Sequence, residues 1–224
     1  MTSTPVPVTA ELHEYLLAHS TRPDPVGLEV IERTAALGGV ARMQIAPEQG
    51  LLLTMLVQSL GATRAVEIGT FTGYSSLAIA RGLADGGTLL CCDISEEWTA
   101  QARRAWAAAG VADRIELRIA PAIETLRSLP QEEHLDFAFV DADKGGYPGY
   151  YAELITRMRP GGLIAIDNVF QGGDVVDSRR AQAAADGRTD TAAIHAFNEQ
   201  LAADERIDVV MLPIADGLTL ARKR

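Results

Sequence analysis

The chain is short of several things, and each shortage excludes a class. Of its 224 residues only two are cysteines, the adjacent pair Cys91 and Cys92 inside an apolar run. Neighbours on a strand point to opposite faces, so this pair does not suit a disulfide and a reducing compartment fits. No apolar stretch approaches the ~20 residues of a membrane span. The first residues, MTSTPVPVTA, show no basic segment leading into an apolar run, so no secretory signal is visible. Basic residues are outnumbered: 20 Lys and Arg against 30 Asp and Glu, a net charge of −10. Such a surface repels nucleic acid. The expectation is a soluble cytoplasmic protein with neither a nucleic-acid nor a membrane partner. The four histidines, His13, His19, His134 and His195, are scattered and form no metal-ligand spacing. Neither G-x-G-x-x-G nor G-K-[ST] occurs, which argues against a dinucleotide fingerprint and a P-loop.

What is present is an ordinary globular composition, 47% hydrophobic and 22% charged, of a length that suits one domain with a single core. The apolar spacing from Leu12 to Gly61 is mostly helical, with Glu48–Leu60 bounded by Pro47 and Gly61. Beyond it, apolar runs (Arg64–Ile68, Thr88–Asp93, Arg114–Ile119, Leu135–Asp141, Gly162–Asp167) alternate with amphipathic segments (Tyr74–Ala84, Glu96–Ala109, Ala122–Leu129, Tyr147–Met158). Near-continuous apolar runs read as strands covered on both faces. Alternation of this kind predicts a doubly wound α/β domain with a parallel sheet. Gln171–Asp190 reads as a long loop, followed by a helix over Thr191–Ala203. Ile207–Pro213 and Gly217–Arg222 are separated by too short a link for a crossover helix, so they predict an antiparallel hairpin. The total is a mostly parallel seven-stranded sheet with extra N-terminal helices.

Ligands of open α/β sheets bind outside the carboxyl ends of the strands. Four predicted strand ends carry acids there: Glu67 before the Gly69–Gly73 loop, Asp93, Asp141 with Asp143, and Asp167 beside Asn168. Acids at such places also serve as turn formers and helix caps, but four at one edge are more than turns need. Asp93 lies 93 − 69 = 24 residues after Gly69, where an acid commonly accepts hydrogen bonds from a ribose diol. A glycine loop, a ribose acid and no phosphate signature favour a nucleoside ligand without a diphosphate.

The strings VEIGTFTGYSSLAIA, CDIS, VDADK and GGLIAIDN resemble the class I S-adenosylmethionine-dependent O-methyltransferases. More narrowly they are similar to the cation-dependent caffeoyl-CoA and catechol O-methyltransferases, and IDVVMLPIADGLTLARKR resembles that group's terminal hairpin. The likeness spans roughly residues 40 to 224. It implies a single domain, with 1–45 an N-terminal helical extension and 46–224 the cofactor-binding core, in a Rossmann-like methyltransferase fold. It also implies S-adenosylmethionine contacts from Met43, Ile45, Glu67, Gly69, Thr70, Ser75, Asp93 at the ribose, Ala122 near the adenine, and Asp141 and Tyr150 near the methionine end. Plant members carry Thr where Ile45 stands, so a hydroxyl contact is lost here.

The resemblance further implies a metal site of Asp141, Asp167 and Asn168, whose hard oxygen donors suit Mg²⁺, Mn²⁺ or Ca²⁺. Lys144 would be the catalytic base beside Asp141, since a neighbouring dication favours the neutral amine. The implied reaction is metal-assisted methylation of a hydroxyl of a vicinal dihydroxy aromatic, a phenolic small molecule, by a homodimeric enzyme. A coenzyme A thioester is less attractive, because the N-terminal region offers only Arg22, Arg33 and Arg42 for its phosphates. Competing readings are a dehydrogenase, a metal-independent N-methyltransferase and a catalytically inactive S-adenosylmethionine-binding protein. The glycine spacing opposes the first and the metal set the second. The intact Asp141, Lys144, Asp167 and Asn168 oppose the third.

Overall fold

A computed structural model describes residues 6–176 and 189–224. Its helices are α1 (Ala10–Ala18), α2 (Pro25–Ala35), α3 (Pro47–Leu60), α4 (Tyr74–Gly82), α5 (Glu96–Ala108), α6 (Ala122–Ser128), α7 (Tyr147–Arg157) and α8 (Thr189–Ala203). Its strands are β1 (Arg64–Ile68), β2 (Thr88–Asp93), β3 (Ile115–Ile119), β4 (Leu135–Val140), β5 (Met158–Asp167), β6 (Ile207–Leu212) and β7 (Leu218–Lys223). They form one seven-stranded sheet in the order β3-β2-β1-β4-β5-β7-β6. β1 to β5 run parallel; β7 pairs antiparallel with β5 and with β6.

Local chemistry explains the boundaries. Asp24 caps α2 by accepting from Gly27 N at 2.8 Å, with Pro25 opening the first turn. Ser95 caps α5 by accepting from Trp98 N at 3.2 Å, and Glu96 and Glu97 follow at the positive end of the helix. α3 stops at Gly61, whose φ of 57° is left-handed.

Alternate residues of the central strands feed two cores. Val66, Ile68, Ala138, Val140, Ile164 and Ile166 pack under α6, α7 and α8. Ala65, Leu89, Phe137, Phe139 and Ala165 pack under α3, α4 and α5. Val30 and Ile45, from the segment before α3, join the second core. Cys91 and Cys92 are both buried and free, one in each core, as the alternation requires.

Three expectations need correcting. β3 is an edge strand, only half covered, so its run is mixed (IELRI) rather than apolar throughout. β5 begins at Met158, four residues early, because Met158 pairs with Leu135 across an irregularity in the register. The segment expected as a loop over Gln171–Asp190 opens as a 3₁₀ turn, Gln171–Val176, and its last two residues belong to α8. Residues 177–188 of that segment lie outside the described residues.

Candidate active site

The chain leaves β1 for β2 on one side of the sheet and reaches β4 on the other. The crevice between the ends of β1 and β4 is therefore the switch point, where such sheets bind ligands. The glycine loop lies across it. Gly69 N donates to Cys92 O at 2.9 Å, and Asp141 N donates to Ile68 O at 2.8 Å. Gly69 has a φ of 88°, and a Cβ there would come within 1.9 Å of Asp141 O. Only glycine permits so close an approach. Asp93, at the end of β2, accepts from the backbone N–H of Thr70 (2.9 Å), Phe71 (2.8 Å) and Ser95 (2.7 Å). The expected ribose acid thus also clamps the glycine loop.

Glu67 is fully buried under this loop. Burial pushes its carboxyl up to about 7, against the Ser75 and Thr70 hydroxyls and the Cys91 thiol, which lower it. Cys91 Sγ donates to its Oε2 at 3.4 Å, while among the described residues neither Glu67 Oε1 nor Thr70 Oγ1 makes a well-formed hydrogen bond. Orphaned buried oxygens beside a glycine cradle suit a polar ligand that brings its own donors.

The second half of the site lies at the ends of β4 and β5. Lys144 Nζ donates to Asp141 Oδ1 at 3.1 Å, to Asn168 Oδ1 at 2.7 Å and to Tyr147 Oη at 2.7 Å. Tyr147 Oη in turn donates to Asp167 O at 3.2 Å. Asn168 N donates to Asp167 Oδ1 at 2.7 Å. Asn168 has a φ of 56°, a left-handed conformation that asparagine tolerates better than most residues. The Asp167 carboxyl is almost fully buried and is pushed up to about 7, first by burial and then by the charge of Asp141; Asn168 N, the Gln49 side chain and Lys144 oppose the shift. Burial raises Asp141 as well, against the Lys144 ammonium, although its side chain is still 16% exposed.

Among the described residues there is no group of three or more His, Cys, Asp and Glu that would hold a metal. The third donor here is an amide, Asn168 Oδ1. Two acids that raise each other's cost of ionisation, with a neutral oxygen already accepting from a cation, form a donor set suited to a hard dication. The expected metal residues therefore fit.

The structure joins Asp141, Lys144, Asp167 and Asn168 in one network, and Glu67, Thr70, Ser75 and Asp93 around the glycine loop. The other expected cofactor residues stand apart from both networks. Met43 ends a 3₁₀ turn and is 40% exposed, while Ile45 is buried in the core. Ala122 opens α6 after β3, and Tyr150 donates its hydroxyl to Asp143 at 2.5 Å. Tyr147 and Gln49 were not foreseen. Tyr147 shares a helical turn with Lys144, three residues on. Gln49 shares the α3 stripe of the buried Leu53 and Val57. The histidines lie elsewhere, for example His13 against Glu48.

Sheet order, glycine loop and strand-end acids define a Rossmann-like α/β transferase fold. The O-methyltransferase family model matches residues 18–224, so the chain belongs to the O-methyltransferase family. It is 40% identical over 212 residues to the Dictyostelium discoideum protein named "Probable caffeoyl-CoA O-methyltransferase 1", covering 93% of this chain and 90% of that one. It is 37% identical over 218 residues to caffeoyl-CoA O-methyltransferase 2 of Zea mays, covering 95% and 83%. Among solved structures, the Bacillus cereus O-methyltransferase in complex with SAH superposes with a TM-score of 0.83 at 32% identity, covering 96% of this chain and 97% of that one.

Proposed function

We propose that this enzyme methylates one hydroxyl of a catechol-type small molecule, using S-adenosylmethionine and a divalent cation. The observation that carries the reading is the network of Asp141, Lys144, Asp167 and Asn168 at the switch point, next to the glycine loop. The caffeoyl-CoA relatives and the SAH-bound neighbour support the donor and the phenolic class of acceptor.

Glu67, Gly69, Thr70, Ser75, Asp93 and Asp141 would hold the cofactor, with Met43, Ile45, Ala122 and Tyr150 around it. Bound S-adenosylmethionine supplies an electrophilic methyl group. Asp141, Asp167 and Asn168 would hold a cation of the Mg²⁺ type, which as a Lewis acid stabilises a phenolate oxygen. Lys144 Nζ is the proton acceptor for the substrate hydroxyl, and Tyr147 Oη holds that nitrogen in place. Asp141 belongs to both halves and sets their spacing, since its backbone is pinned to Ile68 and its carboxylate to Lys144. Orientation of this kind can supply ~7–11 kcal/mol of the barrier.

The test incubates the protein with S-adenosylmethionine, Mg²⁺ and a panel of catechols and reads products by mass. Mono-methylated catechols are expected, abolished by EDTA and restored by Mg²⁺. Asp167→Ala should raise the Mg²⁺ concentration needed for half-maximal rate. Full activity in EDTA, or product from monophenols alone, would overturn the reading.

A further inference from the structure

α2 and α5 face each other through residues at helical spacing, Val26 and Val30 on one side, Gln101, Ala105 and Ala108 on the other. Most of these side chains are short, and a cavity of about 110 Å³ lies between the helices, with Thr72 of the glycine loop in its wall. Protein interiors hold few spaces larger than a water molecule, because neighbouring elements relax into them. Here α2 is pinned at both ends. Asp24, its N-cap, accepts from Arg81 of α4, and the Thr34 hydroxyl near its other end is bonded to that of Thr72. The helix is thus held off α5, and the cavity persists. Its rim is charged, with Glu29, Arg33 and Arg104 all exposed. Glu29 and Arg33 pair with each other one turn apart on α2. Arg104, among the described residues, makes no hydrogen bond or ion pair.

We propose that this cavity is a second ligand site, taking a small monocarboxylate with an apolar body. One acid and two guanidiniums leave the rim with a single net positive charge, on a chain whose net charge is −10. That favours a monoanion over a neutral molecule. The planar fork of Arg104 matches the two oxygens of a carboxylate, and Gln101 on the same face of α5 offers an amide donor beside it. Val26, Val30 and Ala105 give the interior a hydrocarbon lining. A lined apolar cavity of about 150 Å³ takes up benzene, so this one suits a body of about four to six carbons with the carboxylate out at the rim. An occupant would touch Thr72, and with it the loop of Gly69 and Gly73, from the α2 side. The site shares no lining residue with the network of Asp141, Lys144, Asp167 and Asn168. It therefore stands independently of the metal and acceptor readings above.

The test titrates benzoate into the full chain at constant ionic strength, read by calorimetry and by saturation-transfer NMR, with benzamide as the uncharged counterpart. Benzoate should bind in the high-micromolar to millimolar range, and benzamide about 10–100-fold more weakly, the worth of a charged hydrogen bond. Arg104→Gln, at an exposed position, should weaken benzoate by a similar factor. Ala108→Leu fills the cavity from another exposed position and should abolish binding while the thermal unfolding transition stays cooperative. Saturating S-adenosylhomocysteine should leave benzoate bound. Benzoate that this nucleoside competes away belongs to the cofactor crevice, and that result overturns the proposal. So does equal affinity for benzamide, benzoate binding unchanged in both variants, or no binding by the wild type at millimolar benzoate.

Discussion

Thr34 Oγ1 lies 2.7 Å from Thr72 Oγ1, and both residues are buried. One belongs to α2, in the segment before the nucleotide-type fold begins. The other sits in the glycine loop between Phe71 and Gly73, both of which have positive φ. The N-terminal helices therefore brace the loop that should carry the cofactor. Thr34→Val leaves the Thr72 hydroxyl unpaired, which costs about 1–3 kcal/mol. A several-fold higher KM for S-adenosylmethionine with kcat little changed is expected, and Thr34→Ser should restore it. An unchanged KM in steady-state kinetics would separate α2 from the loop.

Asp136 joins three segments at the opposite end of the sheet. Its Oδ2 accepts from Thr63 N, Thr63 Oγ1 and Arg64 N at 2.7, 3.1 and 2.8 Å, and its Oδ1 from Arg159 Nε at 2.5 Å. Burial raises its pKa, but the Arg159 guanidinium and the two backbone N–H groups outweigh burial and hold it below the usual carboxylate value. A folded-state value below the unfolded one contributes stability above the unfolded pKa, lost as pH falls through the folded value. Asp136→Asn should lower stability near neutral pH by about 2–3 kcal/mol, the scale of a charged hydrogen bond. It should also flatten the acid limb of the stability profile below the ordinary value of 3.8. Denaturant titrations across pH would show both.

Glu67 has the opposite sign. Its carboxyl moves from 4.5 to about 7 on burial, so its contribution is fully present below the unfolded value and is lost as pH rises through the folded one. Glu67→Gln should therefore be more stable than the wild type at pH 8, by about 3–3.5 kcal/mol at 1.36 kcal/mol per pKa unit. The advantage should shrink as pH falls from 7 to 4.5. Cofactor binding by the same variant, measured by calorimetry, should weaken.

Lys144 makes its contacts through the oxygens of Asp141 and Asn168, two of the three proposed metal ligands. An ammonium there competes with a dication for the same lone pairs. Lys144→Ala should lower kcat by about 10²–10⁴, the usual worth of a general base. It should leave Mn²⁺ affinity equal or tighter. A large fall in Mn²⁺ affinity would make the lysine a support of the metal site instead of the base.

Strands and their order along the chain were legible because β1, β2 and β4 are covered on both faces and so appear as near-continuous apolar runs, while Gly61, Ser95 and the prolines mark helix ends chemically. Edge conditions were not. β3 is half exposed, and β5 starts early through a pairing between Met158 and Leu135 that leaves no local trace. In the site, Asp141, Lys144, Asp167 and Asn168 could be seen because their types sit at strand ends where acids and amides have work to do. Tyr147 resembles any core aromatic at the start of a helix, and its role depends on where the Lys144 side chain turns. Gln49 left one trace, a polar residue on the apolar stripe of α3.

The hairpin reverses the order of assembly at one edge of the sheet. β6 comes earlier in the chain, yet it reaches the sheet only through β7, which lies between it and β5. The turn before β7 also holds the segment leaving the acid strand: Val169 N donates to Gly217 O at 3.2 Å, Phe170 N to Asp216 O at 2.9 Å and Gly172 N to Asp216 Oδ1 at 2.7 Å. The backbone that carries Asp167 and Asn168 is thus anchored by residues made some fifty positions later. A ribosome-bound chain halted before residue 216 would hold most of its parallel sheet and still present Asp167 on an unsupported edge.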